Sequence, residues 1–267
     1  MTFTHYLITR FNVPVENWNR DKAGQTVLDS AWMEHRLILF ERFCVPSIQG
    51  QTEKNFTWII YCDANSCQED IEMISRHIHQ IDKASIRFVS DFNHLLNDLK
   101  LLLLESNQRF VITSRVDNDD GLGKNYIHNV QKHFVRKDNT IINLNGGILY
   151  NEEQKILTEI RNGRNNHYGS LIEEIKPIDN LVSIIGYPHD KPPAGYGVIN
   201  VDQRFSWLKI IHSRNLSSGT HGIPISINKV IPHFSIQEKD FLISQSNTWK
   251  YVGNKLIDKL RRSISTS

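Results

Sequence analysis

Arg109-Phe-Val-Ile-Thr-Ser-Arg-Val-Asp-Asn-Asp-Asp120 sets a short apolar run directly before three carboxylates, Asp117, Asp119 and Asp120. Phe110, Val111, Ile112 and Val116 are aromatic or β-branched, so the run reads as a buried strand. Gly121-Leu-Gly123 is expected to end it in a turn. Three carboxylates at the carboxyl end of a strand repel one another unless a cation neutralises them. Oxygen donors at this density suit Mg²⁺ or Mn²⁺, and open α/β sheets bind ligands at the carboxyl ends of their strands. The expectation is a divalent metal site that bridges to phosphate; the competing reading is a solvated acidic turn. An EF-hand loop is excluded by spacing. Counted from Asp117, Gly121 and Leu122 fall where a third ligand and the turn glycine belong, and His128 replaces the bidentate carboxylate.

Outward from this stretch, strand-like runs alternate with helix-like ones. His5-Tyr-Leu-Ile-Thr9 reads as a strand and Ala31 to Val45 as an amphipathic helix capped by Asp29 or Ser30. Phe56 to Cys62 is a second strand, Gln68 to Ile81 a polar helix, Ile86 to Val89 a short strand, and Phe92 to Glu105 a leucine-faced helix. Strands alternating with helices of this length imply right-handed crossovers and a mostly parallel sheet. After a helix from Tyr126 to Val135 and strands at Thr140–Leu144 and Ile148–Tyr150, the rhythm changes. Short strands and Pro-rich turns follow, with Pro188, Pro192 and Pro193 around His189-Asp190-Lys191, and an alternating run from Trp207 to His212. The fold class read from this is α/β. One domain is expected over residues 1–267: a nucleotide-binding half (1–120), an irregular acceptor-side half (121–247) and a basic amphipathic C-terminal helix (248–267).

A chain of 267 residues, 39% hydrophobic and 22% charged, has the composition of an ordinary globular protein, and no apolar run approaches the roughly 20 residues that span a bilayer. A net charge of +2 gives no reason to expect nucleic acid as a partner. Cys44, Cys62 and Cys67 form no paired metal hook and read as reduced thiols. The N-terminus shows no export signal, so the cytoplasm is the expected compartment. Trp249, Val252, Leu256, Ile257 and Leu260 recur at helical spacing with Lys and Arg on the other side. Such a helix either packs on the domain or lies peripherally on an anionic membrane.

His5-Tyr-Leu-Ile-Thr-Arg-Phe-Asn12, Trp32-Met-Glu-His-Arg-Leu37 with Phe40-Glu-Arg-Phe43, Gln51-Thr52, Phe56-Thr-Trp58, Thr113 to Asp120 and Ser170-Leu-Ile-Glu173 resemble the putative rhamnosyltransferase family of bacteria. The similarity runs from the first strand to about residue 215. The resemblance implies a GT-A type glycosyltransferase, with a Rossmann-like domain that binds a nucleoside-diphosphate sugar through Mn²⁺ or Mg²⁺. It further implies transfer of rhamnose, with inversion, to a polysaccharide or lipid-linked glycan acceptor. Carried onto this chain, Asp117 faces the nucleoside and Asp119 ligates the metal. Asp120 is then a second ligand or a group that orients the sugar.

Further candidates rest on chemistry, on position or on the resemblance. Arg10 and Arg115 end the first and fourth strands and can pair with phosphate, or equally with the aspartates. Asp63 follows the second strand and reads either as a base or ribose contact or as a turn aspartate. The implied architecture often takes a further metal ligand from a histidine late in the domain; His212, ending the run from Trp207, is the candidate, with His189 and His221 as rivals. An inverting transfer needs a base facing the acceptor hydroxyl; Glu173 is favoured and Asp190 is the alternative, although a solvated helix face also explains Glu174 and extends to Glu173. Two other functions fit clustered aspartates: a metal-dependent phosphohydrolase and a non-catalytic nucleotide-binding subunit of a glycan assembly complex.

Overall fold

Four runs rich in β-branched and aromatic residues, β1 (Phe3–Arg10), β2 (Thr57–Asp63), β3 (Ala84–Val89) and β4 (Phe110–Arg115), pair in parallel in a computed structural model describing residues 2–16, 27–164, 166–176, 181–215 and 219–265. Side chains are described as far as residue 257. Alternate residues of these strands feed two apolar layers. Leu7, Trp58, Ile60, Phe110 and Ile112 face one layer, and Tyr6, Ile8, Ile59, Tyr61 and Val111 face the other. Period-2 alternation with both faces buried is what a covered parallel sheet requires.

The helices supply the covers. α1 (Ser30–Leu39) starts where the Asp29 side chain accepts the Trp32 N–H at 2.7 Å, as capping predicts. It runs through a π-helical turn at Phe40–Cys44 into α2 (Val45–Gln49), further than the sequence pattern indicates. α1 and α3 (Gln68–Ile78) pack on the first layer. α4 (Phe92–Leu104) covers the second layer with Leu95, Leu99 and Leu103, one stripe at four-residue spacing.

The chain lays down β2 and β3 on one side of β1, then crosses back to place β4 on the other. The connections leaving β1 and β4 therefore diverge, which opens a crevice at their carboxyl ends. Beyond β4 the sheet continues with β9 (Ser170–Glu174), antiparallel to both β4 and β6 (Thr140–Leu144), and ends with β10 (Gly197–Val201), parallel to β6. Residues 170–174 are thus a strand, not a helix face, and Ser170 to Glu173 are all buried in it.

The later chain also builds a second sheet that its short, scattered strands do not announce. Its order is β12 (Ile223–Pro224), β8 (Ile156–Ile160), β7 (Gly147–Asn151), β11 (Trp207–Ile211) and β5 (Gly121–Leu122). Gly121 and Leu122, part of the segment expected as a turn, form that last strand, antiparallel to β11. The reversal falls inside the acidic stretch, where the Asp120 N–H reaches the Asp117 carbonyl at 3.2 Å. Gly123 serves close approach: a Cβ there would lie 2.1 Å from the Phe205 carbonyl oxygen. α5 (Tyr126–Lys132) and residues of both sheets, among them Trp58, Leu149 and Trp207, share one apolar cluster. α6 (Ile227–Val230) and α7 (Gln245–Ser265) complete the chain. Among the described residues, no helix is long and apolar enough to cross a membrane.

Candidate functional site

A cleft of about 670 Å³ opens over the carboxyl ends of β1 and β4. Its walls are Arg10, Phe11 and Asn12 leaving β1, Trp32 and Arg36 of α1, Arg115 and the acidic stretch leaving β4, and the Tyr187–Asp190 loop. Lys209 of β11 and Arg214 and Asn215 beyond it close the remaining side. The sheet topology predicts a ligand site at this crevice.

The acidic turn is fixed by its one uncharged member. Asn118 is buried, donates from Nδ2 to the Phe11 carbonyl at 3.0 Å, and accepts from Arg36 Nη1 at 3.2 Å. With Asn118 pinned inward, its neighbours point in different directions. Asp117 is exposed to the cleft. Asp119 is 4% exposed, and its Oδ2 pairs with Arg36 Nη1 and meets His212 Nε2 at 2.9 Å. Burial alone would raise the Asp119 carboxyl, but the Arg36 charge and the His212 hydrogen bond outweigh it and hold Asp119 below the usual carboxylate range.

Asp120 has the opposite surroundings. Tyr168 donates its hydroxyl to Oδ2 at 2.6 Å and the Ile210 N–H reaches Oδ1 at 2.8 Å. Burial and the neighbouring Asp119 charge push its carboxyl well above the ordinary range. Tyr168 is itself held by stacking on Trp207, with ring centroids 4.9 Å apart. Asp120 ties the acidic turn to β11.

Ligand oxygens from Asp117, Asp119 and Asp120 all lie within 4.8 Å of one another, and this cluster of hard donors fits a divalent cation site. The hydrogen bonds divide the three. Both Asp120 oxygens accept hydrogen bonds from protein donors, which anchors that side chain, while its carboxylate stays within the cluster that could hold a metal. Asp117 faces the cleft, and Asp119 keeps an ionised carboxylate beside the imidazole of His212. Of the three candidate histidines, His189 is the one among the residues lining the cleft; His212 is buried beside Asp119, and His221 is exposed.

Arg10 and Arg115 both reach the cleft because β1 and β4 are neighbours, with Ile8 opposite Arg115. Burial lowers Arg10, partly offset by the Asp117 charge, and its guanidinium lies 5.6 Å from the Phe92 ring centroid. Arg115 donates from Nε to the His167 carbonyl at 2.5 Å. Asp63 stands outside the cleft lining: its Oδ1 accepts the Asn65 N–H at 2.9 Å, which is the turn-aspartate alternative.

Glu173 is also away from the cleft, which corrects its favoured place as base. It lies opposite Val111, three residues along β9 from the Ser170–Ser114 pair near the cleft end, a distance of roughly 10 Å. Its two oxygens accept the N–H groups of Val182 and Ser183 at 2.6 and 3.0 Å. Burial raises its carboxyl to about 7, against those two hydrogen bonds. Asp190 is exposed and lines the cleft beside His189, whose ring stacks on His167 at 3.5 Å. Burial, together with the nearby Lys209 charge, lowers His167 to about 3. Burial and then the Arg115 charge lower His189, so both rings are neutral at pH 7.

The sequence reading gave no part to Arg36, Lys209 or Asn118. Arg36 lies four residues after Trp32, on the same helix face, with its guanidinium 4.9 Å from the indole centroid. Lys209 carried a usable signal, a cation in an otherwise apolar strand. Asn118 carried none, since its part depends on Phe11, 107 residues away.

Two solved chains are similar in part. One is a crystal structure of S. aureus TarS 1-349, 10% identical over 78% of this chain and 60% of that one, with a TM-score of 0.37. The other is a crystal structure of S. aureus TarS 1-349 in complex with UDP-GlcNAc, 14% identical over 54% of this chain and 34% of that one, with a TM-score of 0.31. This chain thus spans between a third and three-fifths of the TarS chains it matches. A search of curated proteins finds no match. The sequence from residue 4 to residue 223, which includes every cleft residue named above, matches the model of a family described as putative rhamnosyl transferase, and the chain belongs to that family.

Proposed function

We propose that this protein is a metal-dependent glycosyltransferase of GT-A type. In this reading it moves rhamnose from a nucleoside-diphosphate donor to a glycan or lipid-linked glycan acceptor, with inversion at the anomeric carbon. Family membership supports sugar transfer. The observation that carries the chemistry is the pairing of carboxylates and cations across one cleft at the crevice between β1 and β4. A divalent ion bound there supplies a Lewis acid for the negative charge that develops on the departing diphosphate. In this reading Asp119, with His212 beside it, and Asp117 hold that ion, and Asp117 also faces the nucleoside. Arg10 and Arg115 contact the diphosphate, since guanidinium matches phosphate in charge and shape. Asp190 takes the acceptor's proton, because among the two carboxylates considered for that step it is the one that lines the cleft.

Isothermal titration of nucleoside diphosphates with and without Mn²⁺ tests the reading. Binding that needs the metal in the wild type and is lost in Asp119→Asn is expected; binding indifferent to both removes its basis. Incubation with a sugar nucleotide and no acceptor separates transfer from hydrolysis, since a phosphohydrolase turns over rapidly without an acceptor.

A further inference from the structure

α7 meets the rest of the protein with its polar stripe. Asn247 Nδ2 donates to the Gln154 carbonyl at 2.8 Å, Tyr251 donates to the Gly222 carbonyl at 3.3 Å, and Lys255 Nζ reaches that same carbonyl at 2.7 Å. These residues recur every four positions and share one helix face. Trp249, Leu256 and Ile257 fall on the other side and are 74%, 58% and 48% exposed. A surface helix ordinarily buries its apolar stripe and gives its polar one to water. In α7 the two are exchanged, so an apolar strip faces outward with nothing of this chain over it among the described residues.

The helix is also basic. Its sequence contains Lys250, Lys255, Lys259, Arg261 and Arg262 against a single acid, Asp258. With 21 residues it is about 31 Å long, a length that could span a bilayer, yet it is not apolar enough to do so. An outward apolar stripe on a cationic, non-spanning helix is the form that lies in the plane of a lipid–water interface. We propose that α7 docks this protein on an anionic lipid bilayer. Trp249, Leu256 and Ile257 enter the acyl boundary while the positive charge of the helix is drawn to the headgroups. Charge selects this occupant over a second copy of the chain, because a twofold contact would set this basic helix against itself.

Co-sedimentation of the full chain with vesicles tests the proposal, using phosphatidylcholine alone and phosphatidylcholine mixed with phosphatidylglycerol. The wild type is expected to bind the mixed vesicles, and far less to the neutral ones. Trp249→Ser/Leu256→Ser is expected to weaken that binding by at least about tenfold, and Lys250→Glu, which tests the same surface through charge, by a comparable factor. No binding to anionic vesicles, or binding unchanged in both variants, overturns the proposal. A dimer in analytical ultracentrifugation that dissociates in the double variant also overturns it and assigns the stripe to a second copy.

Discussion

Asp119 and Glu173 are both buried carboxylates, one following β4 and the other on the strand beside it, yet they have opposite surroundings. Asp119 faces a guanidinium and an imidazole at the lip of a cleft. Glu173 faces two backbone N–H groups near the far end of the same sheet. One carboxyl is held below its ordinary range and the other is raised to about 7. Burial by itself therefore marks neither as functional. What separates them is whether the partners are charged and whether a ligand can reach the oxygens.

The sharpest way to break this contrast is to neutralise each acid in turn. Asp119→Asn is expected to lower kcat/KM for sugar transfer by roughly a thousandfold, as loss of a group that stabilises developing charge commonly does. Glu173→Gln should leave kcat within about threefold, measured on the same donor and acceptor. Equal losses would abolish the distinction.

The second prediction concerns stability and pH. Glu173 keeps its proton to about pH 7 in the folded protein, whereas the unfolded chain gives it up near 4.5. Between these values unfolding releases a proton, so Glu173 makes stability fall as pH rises from 4.5 to 7 and level off above. The full effect is on the order of 3 kcal/mol. Urea unfolding at pH 5 and at pH 7.5 should show this slope in the wild type and a shallower one in Glu173→Gln.

Smaller effects probe the ring around Asp120. Tyr168→Phe removes the hydroxyl that donates to a buried carboxyl and should cost about 1–3 kcal/mol in chemical denaturation, with the Trp207 stack retained. Asp63→Asn keeps the acceptor oxygen for the Asn65 N–H and lies outside the cleft lining. It should change stability by less than about 0.5 kcal/mol and leave nucleotide affinity unaltered in titration.

The elements of the first half were legible because they rest on local chemistry. Alternation in Phe56–Cys62, the four-residue leucine spacing of Leu95, Leu99 and Leu103, and the Asp29 cap each need only neighbours in sequence. The clustering of candidate residues was legible in part: Arg10, Arg115, Asp117 and Asp119, placed by residue type, position or the resemblance, line one cleft, and His212 lies beside Asp119. The burial of Glu173 was not legible, because it depends on β9 lying between β4 and β6, where Ser170 to Glu173 are buried on both faces of the sheet. The surroundings of Asp120 were not legible, because its partners, Tyr168 and Ile210, lie 48 and 90 residues away.

By itself the sequence determined that strands and helices alternate and that acids follow the fourth strand, since propensity, capping and periodicity act over a few residues. Only the tertiary structure decided which acid faces the cleft and which is tied to protein donors. The pairing of β4 with β1 and β9, and of β5 with β11, accompanies the meeting of Arg36 and His212 with Asp119 and of Tyr168 with Asp120, while Asp117 faces the cleft. Those distant donors, differing in charge and in access to the cleft, give chemically identical side chains different properties.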